Sequence, residues 1–522
     1  MLRNQKLVSV SSSIVLFAVF INALIIALAY INNPWLFWLL LITAPVLTLA
    51  LYNIIQKKHA VLRNYPLIGY LRYWMESLRP ELRQYFFESD SDGKPFSRRQ
   101  RSIVYQRAKN ERQTVAFGMQ LDNNLPGHEW MAHTMYPVTV EQKDLRVLIG
   151  NEQCSQPYDA SILNIGAMSY GALSKTAIRS LNEGARLGGF AHNTGEGGIS
   201  PHHLNGGDLI WQIGTGYFGC RNDQGHFSDE LFRENACRPE VKMIELKLSQ
   251  GAKPGHGGIL PAAKNTAEIA GIRNVEPGAT IFSPPGHSAF INAEGMVLFL
   301  EKLRRLSGGK PVGIKLCIGN KKEFHKICFA IRKSEIIPDF ICVDGSEGGT
   351  GAAPLEFTDS VGMPLYEALN FVSQTLQIYD LKKKVKIIAA GKIISGFDIL
   401  KVLALGASCC YSARGMMFAL GCIQALRCDR DDCPVGVATQ NPALYRALNV
   451  SDKRIRVASF HRNTIKATIE LMEAGGFSDP SAVSLSSFFR RLDLMNTKSL
   501  AEIYKKNYDW SILKKDYNSS LN

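Results

Sequence analysis

Three cysteines in the last quarter of the chain, Cys422, Cys428 and Cys433, stand in the pattern Cys-x5-Cys-x4-Cys-Pro. Thiolates are the ligands that iron–sulfur clusters take, and three in one short stretch can converge on a single inorganic core. No fourth cysteine follows nearby, which points to a three-iron centre rather than a cubane held by four cysteines. A histidine or cysteine to complete a tetrahedral zinc set is missing from the same stretch. A cluster of this kind moves single electrons, so the expected chemistry is redox. The other common use of cysteine is as a small buried hydrophobe, and Cys409 and Cys410, in an apolar run just upstream, are read that way.

A second group places cations on glycine-rich ground. The run Lys247-Leu-Ser-Gln-Gly-Ala-Lys-Pro-Gly-His-Gly-Gly258 carries Lys247 and Lys253, and Arg273 follows. Arginine offers a planar fork to a carboxylate and lysine a point charge, so the three suit an anionic substrate. Their neighbours are Gly, Pro and apolar residues, as in a pocket rather than a solvated face. Glu196, in Asn193-Thr-Gly-Glu-Gly-Gly198, can serve as general acid or base or orient a substrate amine. Lys315 lies in an otherwise apolar strand, where an ammonium is costly unless it faces an anion, such as a reduced flavin.

Glycine runs form the third group. They are 344–354, with Gly349, Thr350 and Gly351; 391–396, beginning Gly391-Lys392; and Ser412-Ala-Arg-Gly415, with Arg414. Glycine lets backbone N–H groups close on an anion. Three such loops at successive strand ends favour a phosphate-bearing cofactor. A lone G-x-G-x-x-G at 214–219 follows the strand-like 209–213, but Cys220-Arg-Asn-Asp-Gln-Gly225 does not start a helix. Without that context it is read as a loop.

These groups need a scaffold. Between residues 161 and 414, β-rich runs alternate with helix-length segments. The expected strands are 161–165, 190–193, 242–247, 280–283, 312–316, 340–343, 386–390 and 409–412. Eight strands alternating with helices predict a parallel α/β fold, a closed (β/α)8 TIM barrel, with an open doubly wound sheet as the alternative. The expected organisation is 1–57, two transmembrane helices; 58–150, a cover segment with a helical patch at 80–87 and a turn at 88–95; 151–450, the barrel with its iron–sulfur loop at 420–440; and 451–522, a C-terminal helical extension including 462–475.

No charged residue occurs between Lys6 and Lys57. That span splits at Asn32-Asn33 into apolar stretches 8–31 and 34–55, each long enough for a hydrocarbon core that takes about 20 residues. Trp35 and Trp38 suit an interfacial belt, and Arg3, Lys6, Lys57, Lys58 and Arg63 put both ends inside. Two spans without a small-residue cleavage site argue against a signal peptide. The expectation is an inner (cytoplasmic) membrane hairpin with the catalytic part facing the cytoplasm. The 522 residues include 11 irregularly spaced cysteines, which favours a reducing compartment over a disulfide framework. A formal charge of +14 suits an acidic electron carrier or an anionic membrane. No basic run interleaved with aromatics points to nucleic acid.

From about residue 59 onward the chain resembles the FMN-binding glutamate synthase family in a short, membrane-anchored form. The resemblance rests on Gly166-Ala-Met-Ser-Tyr-Gly-Ala-Leu-Ser174, Asn193–Gly198, Gln250-Gly-Ala-Lys-Pro-Gly255, Gly348-Gly-Thr-Gly-Ala352, and Leu420-Gly-Cys through Cys433-Pro-Val-Gly-Val-Ala-Thr-Gln440. It implies a TIM barrel holding FMN and a [3Fe-4S] cluster, with Cys422, Cys428 and Cys433 as ligands. It also implies that Lys247, Gln250, Lys253 and Arg273 surround 2-oxoglutarate beside Glu196. Ala167, Met168 and Ser169 would line the flavin, and the late glycine loops with Lys392, Arg414 and Gly415 would hold its phosphate. The implied reaction reduces 2-iminoglutarate, from 2-oxoglutarate and ammonia, to L-glutamate, with electrons from a carrier or reductase subunit. The chain departs from the full-length family in lacking a glutaminase domain with an N-terminal cysteine nucleophile, since its first cysteine is Cys154, and a large C-terminal domain. Two rivals are a barrel flavoenzyme acting on a hydroxy acid and a membrane electron-transfer subunit. The Ser-Asn-His-Gly run of hydroxy-acid oxidases is absent, and a pure relay needs no carboxylate clamp.

Overall fold

The computed structural model describes residues 10–111, 114–140 and 145–505. Arg3, Lys6 and the tail beyond residue 505 lie outside the described residues. The chain divides into two compact units, Met1–Gly93 and Lys94–Asn522, so the break falls inside the expected cover segment.

In the first unit, helices Val10–Ile31 and Leu40–Ile55 are joined through a tight turn, Pro34–Leu39, which Asn33 caps by accepting from the Trp35 amide. Both segments are long and apolar enough to cross a membrane. Their large side chains point outward: Phe17, Phe20, Leu41 and Ile42 are exposed, as are Trp35 and Trp38. One polar pair joins the helices. The Thr43 hydroxyl donates to Asn22 Oδ1 at 2.9 Å, and Asn22 Nδ2 donates to the Thr43 carbonyl at 3.3 Å. These two bonds tie the helices of the hairpin together. Helix Gly69–Leu82 and a one-turn continuation, Arg83–Phe87, follow, so the helical patch is longer than the sequence suggests.

The second unit is built on a closed barrel of eight parallel strands. They are β1 Leu163–Ile165, β2 His192–Asn193, β3 Leu209–Ile213, β4 Val241–Lys247, β5 Val312–Leu316, β6 Phe340–Asp344, β7 Lys386–Ala390 and β8 Cys409–Ser412. Closure runs through β8 and β1, with Cys410 opposite Leu163. Cys409 and Cys410 are buried core, as expected.

One expected strand is misplaced. Residues 280–283 are not in the barrel: Ile281–Phe282 pairs antiparallel with Ile259–Leu260 in a separate hairpin, and Phe282 is exposed. The third barrel strand is Leu209–Ile213, buried at all five positions. The reason lies in the connection. Only a short turn, Pro201–His203, separates β2 from β3, so the strand–helix alternation fails there.

Helix Lys175–Gly188 follows β1 and packs on the long helix Val450–Gly475. The contact is close enough that a Cβ on Gly184 would lie 2.6 Å from Val457. Beyond that helix the tail is not helical throughout. Phe488–Arg491 pairs with Thr497–Ser499 and with Glu129–Met131, returning the tail to the segment that precedes the barrel.

Candidate functional site

One cavity of about 880 Å³ opens over the C-terminal ends of the barrel strands. It runs from Glu196 and Arg273, past the glycine run after β6, to Cys422, Cys428 and Cys433. At its first end β4 closes on Lys247, and the loop after it supplies Gln250 and Lys253. Lys247 Nζ lies 2.9 Å from Glu196 Oε2 and donates to Gln250 Oε1 at 3.0 Å. Lys253 Nζ donates to the Gly257 carbonyl. Arg273 ends the helix Ala267–Arg273, which Thr266 caps. Its guanidinium is buried, donates to the Tyr170 carbonyl at 3.0 Å and sits over the Phe218 ring at 5.0 Å. Among the described residues no carboxylate lies in ion-pair range of Arg273. Crowding explains two glycines. A Cβ on Gly214 would sit 2.7 Å from Glu196, and one on Gly197 would sit 2.9 Å from the Arg273 guanidinium.

The electrostatics are those of an anion site. Burial would raise the Glu196 carboxyl, but Lys247, with Lys253 and Arg273, more than offsets it and holds the group below its usual range. Burial pulls Lys253 down to about 8, with Glu196 opposing and Lys247 reinforcing. Burial also lowers Arg273, to about 10, which leaves it charged at neutral pH. Three cations therefore share one carboxylate. Lys315 pairs with Asp344 at 3.3 Å in the cavity floor; burial would lower it, but Asp344 wins and it is raised. So the anion facing Lys315 within this chain is Asp344.

The middle of the cavity is a cradle. Ala167, Met168 and Ser169 line it after β1, and Gly349, Thr350 and Gly351 line it after β6. Arg414, after β8, donates to the Glu347 carbonyl at 2.9 Å, and a Cβ on Gly349 would meet its guanidinium at 2.5 Å. Lys392, after β7, takes a left-handed φ of 50°. Both cations lie over the Phe96 ring, at 4.8 and 5.7 Å. Gly391 and Gly415 do not line the cavity. Gly391 sits beside the Glu347 carboxylate, and Gly415 is buried against Ser412. Gly391 shapes a turn, and Gly415 lets the helix Arg414–Leu420 start close against β8.

The cysteine loop closes the far end. Cys422 follows the helix Arg414–Leu420, which Gly421 ends in the left-handed conformation. Gln424, Leu426 and Asp431 also take positive φ, an uncommon concentration of non-glycine strain that marks a loop held by its surroundings. The holders are visible. Tyr105 donates to the Cys422 carbonyl at 2.6 Å, and Gln424 bonds both N–H and C=O of Phe96. Gln440 Nε2 donates to the Gly171 and Leu173 carbonyls, and its own amide donates to Asp431 Oδ1 at 2.6 Å. Lys264 is buried and reaches the Cys428 and Ala438 carbonyls. Cys433 is buried and the other two thiols are half-buried. Burial pushes Cys422 up to about 12 and raises Cys428. Among the described residues no His, Cys, Asp or Glu group is tight enough for a single metal ion. A three-iron core is wider than an ion and spaces its thiolates further apart, so a trio lining one cavity suits a cluster better.

Three contributors escape sequence reasoning. Phe96 comes from outside the barrel, and nothing in its neighbourhood marks it. Glu347 lies inside the glycine run, and its carboxylate accepts from the Leu365 amide at 3.0 Å, at the start of the helix Leu365–Ile378. Lys264 sits in a plain Pro-Ala-Ala-Lys-Asn stretch.

The chain's likenesses accord with this geometry. Residues 105–478 match the conserved region in glutamate synthase. The glutamate synthase large subunit-like protein YerD of Bacillus subtilis is 40% identical over 468 residues, covering 81% of this chain and 88% of that protein. The archaeal glutamate synthase [NADPH] of Methanocaldococcus jannaschii is 35% identical over 316 residues, covering 60% of this chain and 59% of that one. The match to the glutamate synthase [NADPH] large chain of Azospirillum brasilense spans only 21% of that protein at 30% identity. Among solved structures, a flavocytochrome b2 mutant with pyruvate bound aligns over 80% of this chain and 85% of that one, at 13% identity and TM-score 0.43. The barrel stands on its own closed strand order rather than on that likeness. On the extent of the matched region and the identity to YerD, the chain belongs to the glutamate synthase family.

Proposed function

We propose that this chain is a membrane-anchored, FMN-dependent oxidoreductase that reduces 2-iminoglutarate, formed from 2-oxoglutarate and ammonia, to L-glutamate, taking single electrons through a [3Fe-4S] cluster. The observation that carries this reading is one cavity joining a three-cation clamp, a glycine and cation cradle, and three cysteines. When bound, FMN supplies hydride chemistry and the cluster one-electron chemistry. Lys392, Arg414 and the backbone of 348–351 would hold the FMN phosphate, and Cys422, Cys428 and Cys433 the cluster.

The chain's own residues do the rest. Arg273 and Lys253 bind the substrate carboxylates, with Gln250 and Lys247 fixing the ends of the pocket. Glu196 is kept ionised by Lys247, so at neutral pH it accepts from the substrate nitrogen rather than donating a proton. Lys253, with its proton held only to about 8, is the group in the pocket placed to release one. Fixing the imine in one orientation is itself a large part of catalysis. The test is an anaerobic assay with 2-oxoglutarate, ammonium and a reduced one-electron dye, read as glutamate formed, alongside chromatography of the released flavin. Glutamate and FMN are expected. FAD, or reduction of a 2-oxo acid without nitrogen uptake, would replace this reading.

The clamp has a pH signature. Lys253 is lowered in the free protein, so its charge is lost as pH rises through about 8. Affinity for 2-oxoglutarate should be flat at lower pH and then weaken, roughly tenfold per pH unit while one proton is linked to binding. Calorimetric titrations between pH 7 and 9.5 measure this, and Lys253→Arg should flatten the curve. An unchanged slope in that variant would assign the dependence elsewhere.

The hairpin is proposed to anchor the protein, with an acidic carrier or reductase subunit as the electron source. Full-length chain should pellet with membranes and be released by detergent. A chain beginning at Lys94 should stay in the supernatant with its flavin. Sedimentation of that shorter chain with membranes would count against an anchor in residues 10–55.

A further inference from the structure

We propose that Lys264 is the fixed counter-cation of the cluster held by Cys422, Cys428 and Cys433, clamping the cysteine loop and biasing the cluster toward its reduced form. The proposal rests on the cluster reading above and deepens it. Lys264 is only 2% exposed. Its ammonium donates to the Cys428 carbonyl at 2.6 Å, the Ala438 carbonyl at 2.9 Å and the Ala172 carbonyl at 3.5 Å. An ammonium has three N–H donors and no acceptor, so three carbonyls exhaust it. Carbonyls satisfy the donors and leave the charge uncompensated.

No carboxylate among the described residues lies in ion-pair range of Lys264. A lysine buried without a paired charge is costly. Burial lowers its ammonium, and the groups that oppose this are those of the cysteine loop itself: Asp431, Cys428, Cys433 and Asp429. Three thiolates around an iron–sulfur core leave net negative charge, and reduction adds one more. A cation fixed beside that core stabilises the reduced form more than the oxidised one, and net charge is among the factors that set such potentials.

Position reinforces the point. Lys264 ends the turn Ala262–Lys264, two residues before Thr266, which caps the helix carrying Arg273. One short segment thus supplies a cation to each end of the cavity.

The experiment compares full-length wild type, Lys264→Gln and Lys264→Arg, in detergent and reconstituted anaerobically. Iron content and flavin content are measured, and the cluster is titrated by potential with paramagnetic resonance as the readout. Glutamine keeps N–H donors toward the carbonyls but drops the charge; arginine keeps both. With iron retained, the Gln variant should show at least a tenfold lower ratio of reduced to oxidised cluster at a fixed potential. For a one-electron couple that is about 59 mV. The Arg variant should stay close to wild type. Loss of iron from the Gln variant alone, with flavin kept, also supports the proposal, because the charge is then needed for assembly. A Gln variant with wild-type iron and midpoint overturns it and leaves Lys264 a loop fastener. Loss of iron from both variants with flavin kept overturns it as well, since shape then matters rather than charge. Wild type without iron instead removes the cluster reading on which the proposal rests.

Discussion

Arg273→Ala is expected to weaken 2-oxoglutarate binding severely while leaving the flavin in place. Truncating one partner of a buried, charged hydrogen-bonded contact costs about 2–5 kcal/mol, which is roughly 30-fold to several thousand-fold in Kd. Arg273 belongs at the upper part of that range among the clamp residues. It is more firmly charged than Lys253, at about 10 against about 8, and no carboxylate of the described residues pairs with it. Its fork is therefore available to a ligand. Two structural contacts would also be lost, the bond to the Tyr170 carbonyl and the packing over Phe218. For that reason flavin content and Tm are measured alongside binding. Arg273→Lys separates charge from shape: it should bind at an intermediate level, because an ammonium cannot make a bidentate contact. Equal affinity for 2-oxoglutarate in wild type and Arg273→Ala, with both proteins folded, would move the substrate away from this end of the cavity.

The residues that could be found from the sequence share one property: they carry their chemistry in their type and their immediate neighbours. Glu196 between glycines, Lys253 before Pro-Gly and three spaced cysteines are all visible without a fold, and the structure brings them to one cavity. The barrel was legible because five of its strands, β4 to β8, are runs of buried residues with helices between them. It failed at β3, where a three-residue turn replaces the helix and the hairpin at 281–282 imitates the missing strand. Lys264 and Phe96 were not legible for a different reason. Each acts on a segment far away in sequence: Lys264 on carbonyls more than 160 residues on, and Phe96 through Gln424, 328 residues away. No local pattern encodes such a contact. The resemblance of the Thr439-Gln440 motif to its family likewise has a physical content that only the fold reveals, since Gln440 ties the cysteine loop to the loop after β1.

Cys428→Ser is expected to remove the iron–sulfur signal and stop electron entry from a one-electron carrier, while the barrel stays folded and keeps its flavin. The change is nearly isosteric, so packing is not the issue. Cys428 is half-buried, and its backbone carbonyl still receives Lys264. What is lost is the soft thiolate that the iron requires. Gly351 lets the loop after β6 pass close to the cysteine loop, since a Cβ there would lie 2.8 Å from the Cys428 carbonyl. The other eight cysteines do not line the cavity, and Cys409 and Cys410 are locked in β8. Replacement from within the chain is therefore closed off. A three-iron centre is paramagnetic when oxidised, so low-temperature paramagnetic resonance with iron analysis reads the loss directly on anaerobically prepared protein. Turnover with a chemical reductant that reaches the flavin should persist, because the side chains of Lys247, Lys253 and Arg273 bond to Glu196, Gln250, Gly257 and Tyr170 rather than to the cysteine loop. Two outcomes would break the argument. Wild-type iron and signal in Cys428→Ser would mean that the three cysteines are not the ligand set. Loss of turnover with the direct reductant, in a variant that retains flavin, would mean that the cysteine loop shapes the substrate end as well, and the separation of the cavity into two functional ends would have to be abandoned.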